Sequence, residues 1–318
     1  MITRTTVLGL ALAFGIGISG CDTTDSSSEE SATTPTEVEI VALHDHDEDE
    51  HLFSLSTTEI PSGWTTFTFD NQADADHFVL VSKVPDTIDV PKYRNEVVHV
   101  VQNFLDSILE NEISFPDAGF EFPAWYADVR FMGGPGLTAP QRTAQTTVNL
   151  MPGTYILECY VKTPDGTQWH HMLGMLAGLT VTDETTSAEA PESTLSMTLR
   201  NPDNGGIEAD DVVSAGTHTV AVQFAEQQVY STGGQNDVHL VRLTEDTDLE
   251  ALAAWMNPLD PAGFVSPPAP AEFLGGLEDQ PVGTTGYLTV DLTPGRYAWI
   301  AEVPDPVGKG MLKTFTVE

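Results

Sequence analysis

Basic side chains are scarce. The 318 residues hold 12 Lys and Arg against 48 Asp and Glu, a formal net charge of −36. A surface of that sign repels phosphate, which excludes nucleic acid and anionic lipid as electrostatic partners. It suits a hydrated surface in a saline habitat, or steering toward a basic partner protein. Cysteine is scarce as well. Cys21 and Cys159 are the only two, too few for a disulfide framework. Long apolar runs are missing apart from residues 7–18, which are too few to span a bilayer. Strands do not alternate with long amphipathic helices, so a parallel α/β sheet is not expected. The loop with Gly133, Gly134 and Gly136 lacks the strand-then-helix setting of a phosphate cradle.

The apolar run at 7–18 follows one Arg and ends in small residues, the pattern of a secretory signal over 1–20. Ile18-Ser19-Gly20-Cys21 resembles the bacterial lipobox, which implies cleavage before Cys21 and lipidation of its thiol. The chain is then expected in the cell envelope, extracytoplasmic and held to a membrane by lipid. Residues 21–36 are Ser, Thr and acidic with almost nothing apolar, a disordered tether. With Cys21 lipidated, Cys159 has no partner within the chain. It is then a buried small hydrophobe, a free thiol, or a metal ligand.

The two halves repeat one another. FMGGPG at 131–136 matches FLGGLE at 273–278, NLMPGTY at 149–155 matches DLTPGRY at 291–297, and GMLAGLTV at 174–181 matches GMLKTFTV at 310–317. HFVLV from His77 matches HLVRL from His239. Self-similarity on this scale is one supersecondary plan used twice. Short alternating strands with Gly and Pro turns make that plan an all-β sandwich. The expected organisation is a first domain at 37–182, an acidic linker at 183–195 and a second domain at 196–318. Apolar positions at helix spacing between 88 and 112 place a helical insert in the first. The Pro- and aromatic-rich stretches 115–131 and 255–273 are either packed surface loops or contact surfaces.

Chemistry concentrates at residues 150–181. A strand over 155–161 carries Cys159, a polar turn follows at 163–167, and His170, His171 and Met175 lie across it. A thiolate, an imidazole and a thioether delivered by one loop are soft ligands that suit copper. His77 supplies a second imidazole from the preceding strand pair. The spacings Asn71 to His77, Gly153–Tyr155–Cys159 and His170 to Met175 resemble the type-1 (blue copper) cupredoxin family, close to its plastocyanin-like branch. The resemblance implies two tandem Greek-key β-sandwiches, each with a short helical insert. It also implies one copper in the first domain, an electron-transfer role and a redox partner protein. Carried over residue by residue, His77, Cys159 and His170 are equatorial ligands and Met175 the weak axial one, with His171 as the substitute for His170. The chain departs from the family in the ten residues between Cys159 and His170, where a few are usual.

The second half has Ala301 where the first has Cys159, and no His in the stretch matching His170 and His171. A type-1 site is therefore expected only in the first half. The same comparison assigns Pro-Gly-x-Tyr and Gly-Met to the fold as well as to a metal. HDHDEDEH at 44–51 reads as a solvated hairpin tip or a loose divalent-metal site. No enzyme is expected. Cys159 with a histidine is the only nucleophile pair in view, with no orienting third group and no helix start to activate the thiol. The paired His-x-His motifs of multicopper oxidases are missing, His44-Asp45-His46 standing alone. The alternative to a copper protein is a structural or ligand-binding lipoprotein that kept the fold without the redox role.

Overall fold

The computed structural model describes residues 34–47, 50–111, 121–230 and 233–318. The expected signal peptide, the Cys21 lipidation site and the tether as far as residue 33 lie outside the described residues. So do 112–120 of the first aromatic stretch.

The first half contributes strands β1 (Thr36–Asp45), β2 (Glu50–Leu55), β3 (Glu59–Asn71), β4 (Leu80–Val84), β5 (Arg130–Phe131), β6 (Thr143–Leu150), β7 (Gly153–Glu158) and β8 (Leu176–Thr185). Strict alternation in β1 buries Val38, Ile40 and Ala42 and leaves Glu37, Glu39 and Leu43 exposed or half-exposed. β1 folds back on β2 and runs parallel to β3, which pairs antiparallel with β6. The second layer is β8, β7, β4 and β5 in antiparallel order. Phe67 and Phe69 of one layer meet Tyr155, Leu157 and Leu179 of the other in a shared core. The expected helical insert is present as α1 (Val90–Tyr93), a π-helical turn (Arg94–Val98) and α2 (His99–Asn111).

Pro61-Ser62-Gly63 has the composition of a turn between two strands, yet β3 continues through it. Glu59, Ile60 and Pro61 pair with β8, the register shifts between Pro61 and Ser62, and from Gly63 onward the strand pairs with β6. The turn residues make the bend by which one strand leaves one layer and joins the other.

The second half repeats the plan with β9 (Leu195–Leu199), β10 (Ile207–Glu208), β11 (Val212–Val213), β12 (Gly216–Phe224), β13 (Val238–Leu243), α3 (Leu249–Trp255), β14 (Glu272–Leu277), β15 (Thr285–Leu292), β16 (Gly295–Ile300) and β17 (Leu312–Val317). One layer is β10-β9-β12-β15 and the other β11-β17-β16-β13-β14. The repeated Pro-Gly-x-Tyr has a structural use in both halves. The Tyr155 hydroxyl donates to the Met151 carbonyl at 2.6 Å, and the Tyr297 hydroxyl to the Thr293 carbonyl at 2.9 Å. Each bond ties a buried phenol across its hairpin.

The halves join through the matching strands β6 and β15, which pair antiparallel at Thr146 and Leu288. One layer thus runs without a break from the first half into the second. Residues 186–194 connect the halves without regular structure, and the described residues fall in a single compact unit.

Candidate metal centre

Asn71 closes β3 and builds the loop that carries His77. Its side-chain N–H group donates to the carbonyls of Ala75 (2.8 Å) and Thr138 (2.7 Å), and its side-chain oxygen accepts from the Ala73 N–H. His77 itself exchanges backbone hydrogen bonds with Thr138. Its ring is thereby fixed at one pole of the first sandwich, fully buried.

Cys159 lies one residue past β7, so the expected strand over 155–161 ends earlier than its apolar pattern suggests. The ten residues that follow close as a small hairpin. Lys162 pairs with Trp169, the Thr163 N–H donates to the Gln168 carbonyl, and Asp165 accepts from Thr163 and Thr167 at the tip. A loop longer than the family pattern therefore still returns the chain to its starting point. The His170 N–H donates to the Val161 carbonyl at 2.8 Å.

The result is a convergence of three separate segments. His77 Nδ1 lies 3.1 Å from His170 Nδ1 and 3.6 Å from Cys159 Sγ. Donors bound to one ion at about 2.0–2.3 Å cannot sit much more than 4 Å apart, and His77 meets that test with each of the other two. Among the described residues, the second nitrogens of both imidazoles, Nε2 of His77 and of His170, have no hydrogen-bond partner. Burial holds both imidazoles well below their ordinary pKa, so they are neutral and able to ligate. Burial also pushes the Cys159 thiol up to about 12. Without an ion the sulfur keeps its proton, and binding must release it.

Met175 is buried, and its backbone touches both ligand segments. Its N–H donates to the His170 carbonyl and its carbonyl accepts from the Cys159 N–H. His171 turns the other way. Its Nδ1 lies 3.0 Å from Glu158 Oε2, whose partner oxygen accepts from the Tyr93 hydroxyl at 2.6 Å. Glu158, the last residue of β7, and Cys159 point to opposite sides as strand neighbours do, and His170 and His171 part at the turn that begins there. Cys159 and His170 face His77, while Glu158 and His171 face a cavity of about 120 Å³ also lined by Tyr126, Tyr160 and Trp169.

Sequence reasoning missed His51. Read within 44–51 as part of a solvated hairpin tip or a loose divalent-metal site, it is buried, and its ring stacks on His170 with centroids 4.0 Å apart and planes at 15°. His51, His77 and His170 offer ligand atoms within 4.8 Å of one another. The stack continues outward. His44 lies 4.2 Å from His51, and His46 lies 4.1 Å from His44. Asp74 holds His44 at 3.0 Å. The only signal in the sequence was the cluster of three histidines itself.

No family model matches the sequence, and no curated protein matches it either. Solved structures do. Auracyanin A, a blue copper protein from Chloroflexus aurantiacus, is 20% identical and matches 46% of this chain and 99% of its own, with a TM-score of 0.27. A multicopper oxidase is 16% identical over 89% of this chain and 88% of its own, TM-score 0.25. A copper nitrite reductase from Nitrosomonas europaea is 10% identical over 90% and 94%, TM-score 0.24. The last two correct the expectation that the chain is not an enzyme, since enzymes are among the structures matched over most of its length. The chain is similar to blue copper proteins in part and to copper enzymes over nearly all of its length.

Proposed function

We propose that this chain is a copper-binding electron-transfer protein, lipid-anchored at Cys21 on the extracytoplasmic side of a membrane. The observation that carries the reading is the approach of His77 Nδ1 to both His170 Nδ1 and Cys159 Sγ. His77, Cys159 and His170 would hold the copper, with Met175 the further donor that the resemblance implies and His171 left to its pairing with Glu158. A bound copper supplies a one-electron couple, and two imidazoles with one thiolate serve both oxidation states. The protein holds the donors from three segments in a buried core, which keeps the site from rearranging. The stacked rings of His170, His51 and His44, with His46 tilted against His44, run from ligand to surface and give electrons a short route outward. The acidic surface favours a basic redox partner.

The test is the visible spectrum after addition of cupric salt to the chain without residues 1–21. An intense sulfur-to-copper band in the red is expected, lost in Cys159→Ser and retained in His171→Ala. A colourless wild-type protein sinks the proposal. That outcome favours the second reading, a ligand-binding lipoprotein, for which the cavity lined by Tyr126, Tyr160 and Trp169 is the binding place.

A further inference from the structure

The second half lacks the thiolate, but the matching region is not inert. His239 stands where the first half has His77, and Glu278 where it has Gly136; Glu302 follows Ala301, the counterpart of Cys159. Asp237, His239, Glu278 and Glu302 are all buried, with ligand atoms within 4.8 Å of one another. Asp279, also buried, adjoins them.

The hydrogen bonds show what this cluster lacks. His239 Nδ1 accepts from the Leu137 N–H at 3.0 Å, so its proton is on Nε2 and is given to Asp237 at 2.9 Å. The ring is therefore neutral and cancels no carboxylate charge. Asp237 also accepts from the Glu302 N–H, Asp279 from the Gln235 N–H, and Glu302 from the Tyr160 hydroxyl at 3.0 Å. These partners are neutral donors; no lysine or arginine is among them. Among the described residues Glu278 Oε1 has no hydrogen-bond partner, and its side chain is 1% exposed. It points toward His239 Nδ1 at 3.9 Å, and that atom is itself an acceptor. That nitrogen is already filled by the Leu137 N–H, so the buried oxygen faces an acceptor with no donor or cation against it. Burying ionised carboxylates without one is costly. Burial and mutual repulsion hold Glu278 and Glu302 well above the usual carboxylate range and push Asp279 up to about 8.

We propose that this cluster is a binding site for a hard divalent cation, held by carboxylate oxygens of Glu278 and Glu302 with Asp237 and Asp279 beside them. An oxygen donor set selects the Mn²⁺, Mg²⁺ and Ca²⁺ class over the soft metals a thiolate takes. His239, with both nitrogens already bonded, is a positioning residue that fixes Asp237. The cavity of about 120 Å³, which Asp279 and Glu302 also line, leaves space for water on the ion. The site stands whether or not copper binds at Cys159. The two poles are nonetheless joined by one side chain, because Tyr160 follows Cys159 and its hydroxyl bonds Glu302.

The experiment uses the full chain without residues 1–21, stripped with chelator and titrated with Mn²⁺. Retention of one tightly held equivalent and a rise in melting temperature of about 5 °C are expected. Glu278→Gln and Glu302→Gln should each weaken retention at least about tenfold. Their stability should change order with loading: above wild type when metal-free, because a buried repulsion is gone, and below it with Mn²⁺ present. The proposal is overturned by a stripped protein that takes up none of Mn²⁺, Mg²⁺ or Ca²⁺ and is most stable in acid, since protons then hold the carboxylates. It is equally overturned if Mn²⁺ uptake survives Glu278→Gln and Glu302→Gln but is abolished by His44→Ala with His46→Ala, which places the ion at the hairpin tip.

Discussion

Lys162 illustrates what a single buried charge does here. It is fully buried, its Nζ donates to the Asp260 carbonyl at 2.7 Å, and it sits 4.8 Å from the centre of the Trp169 ring. Its backbone meets the second half as well, through the Phe264 carbonyl and the Ser266 N–H. Burial pushes its pKa from 10.5 down to about 7, the Asp260 charge opposing only part of that. A base whose folded value is depressed favours the neutral amine in the fold. Its contribution is then complete above pH 10.5, shrinks as pH falls, and is at its lowest below about 7. Lys162→Met keeps the length of the chain and removes the ionisation. We expect the stability of the variant relative to wild type to increase as pH is lowered from 10 to 7, by roughly 1 kcal/mol per pH unit. Urea denaturation at several pH values measures it, and parallel profiles for the two proteins would refute the burial argument.

At the scale of elements, β2 is latched to the loop that carries His170. The His51 N–H donates to the Leu173 carbonyl at 3.1 Å, and the next residue, Gly174, has φ +118°. A Cβ there would come within 2.9 Å of the His51 carbonyl oxygen. Gly174→Ala therefore pays for strain and also forces β2 away from the loop, opening the stack of His51 on His170. Gly216 has φ +131° with nothing within 4 Å of its missing Cβ, so Gly216→Ala reports the strain alone, about 1–3 kcal/mol. A larger loss in Gly174→Ala, together with a shifted copper band, is expected in melting and absorption measurements. Equal losses and an unchanged band would mean that β2 does not position the ligand loop. The same elements mark what the sequence made legible. Pro-Gly-x-Tyr and the helical insert are local devices, built from hydrogen bonds within a few residues, and could be read directly; the Asn71-to-His77 spacing could be read too, although Thr138 from a distant segment also holds that loop. His51 could not, because its place over His170 depends on β1 lying parallel to β3, a pairing across distant segments. Nor could the bend at Pro61, since turn chemistry is the same whether a chain reverses or crosses between layers. Glu278 and Glu302 were hidden by composition: in a chain with 48 acidic residues, position alone distinguishes the buried ones.

Across the whole molecule, the two sandwiches are bound by more than a connecting segment. β6 and β15 extend one layer through both. Isolated bridges tie Pro135 to Leu277, Thr138 to Leu274 and Lys162 to Val265. Phe264 of the second half stacks on Tyr160 of the first and meets Phe78 edge-on, and Arg142 is ion-paired with Glu272. Separating the halves would expose these rings and leave a long unpaired edge on β6, which in water is unfavourable and prone to pairing with other chains. The halves should therefore unfold together. Trp64, Trp125 and Trp169 report on the first half, Trp255 and Trp299 on the second. A variant with both second-half tryptophans changed to Phe and its complement, with the first three changed, let each half be followed by fluorescence. Trp169 contacts Lys162 and Trp255 lies in the shared core, so both variants are expected to melt below wild type. Within each variant, however, the fluorescence transition should coincide with the loss of β-structure followed by circular dichroism. A fluorescence transition separated from the circular dichroism transition in either variant would mean that the continuous layer does not make the halves cooperative.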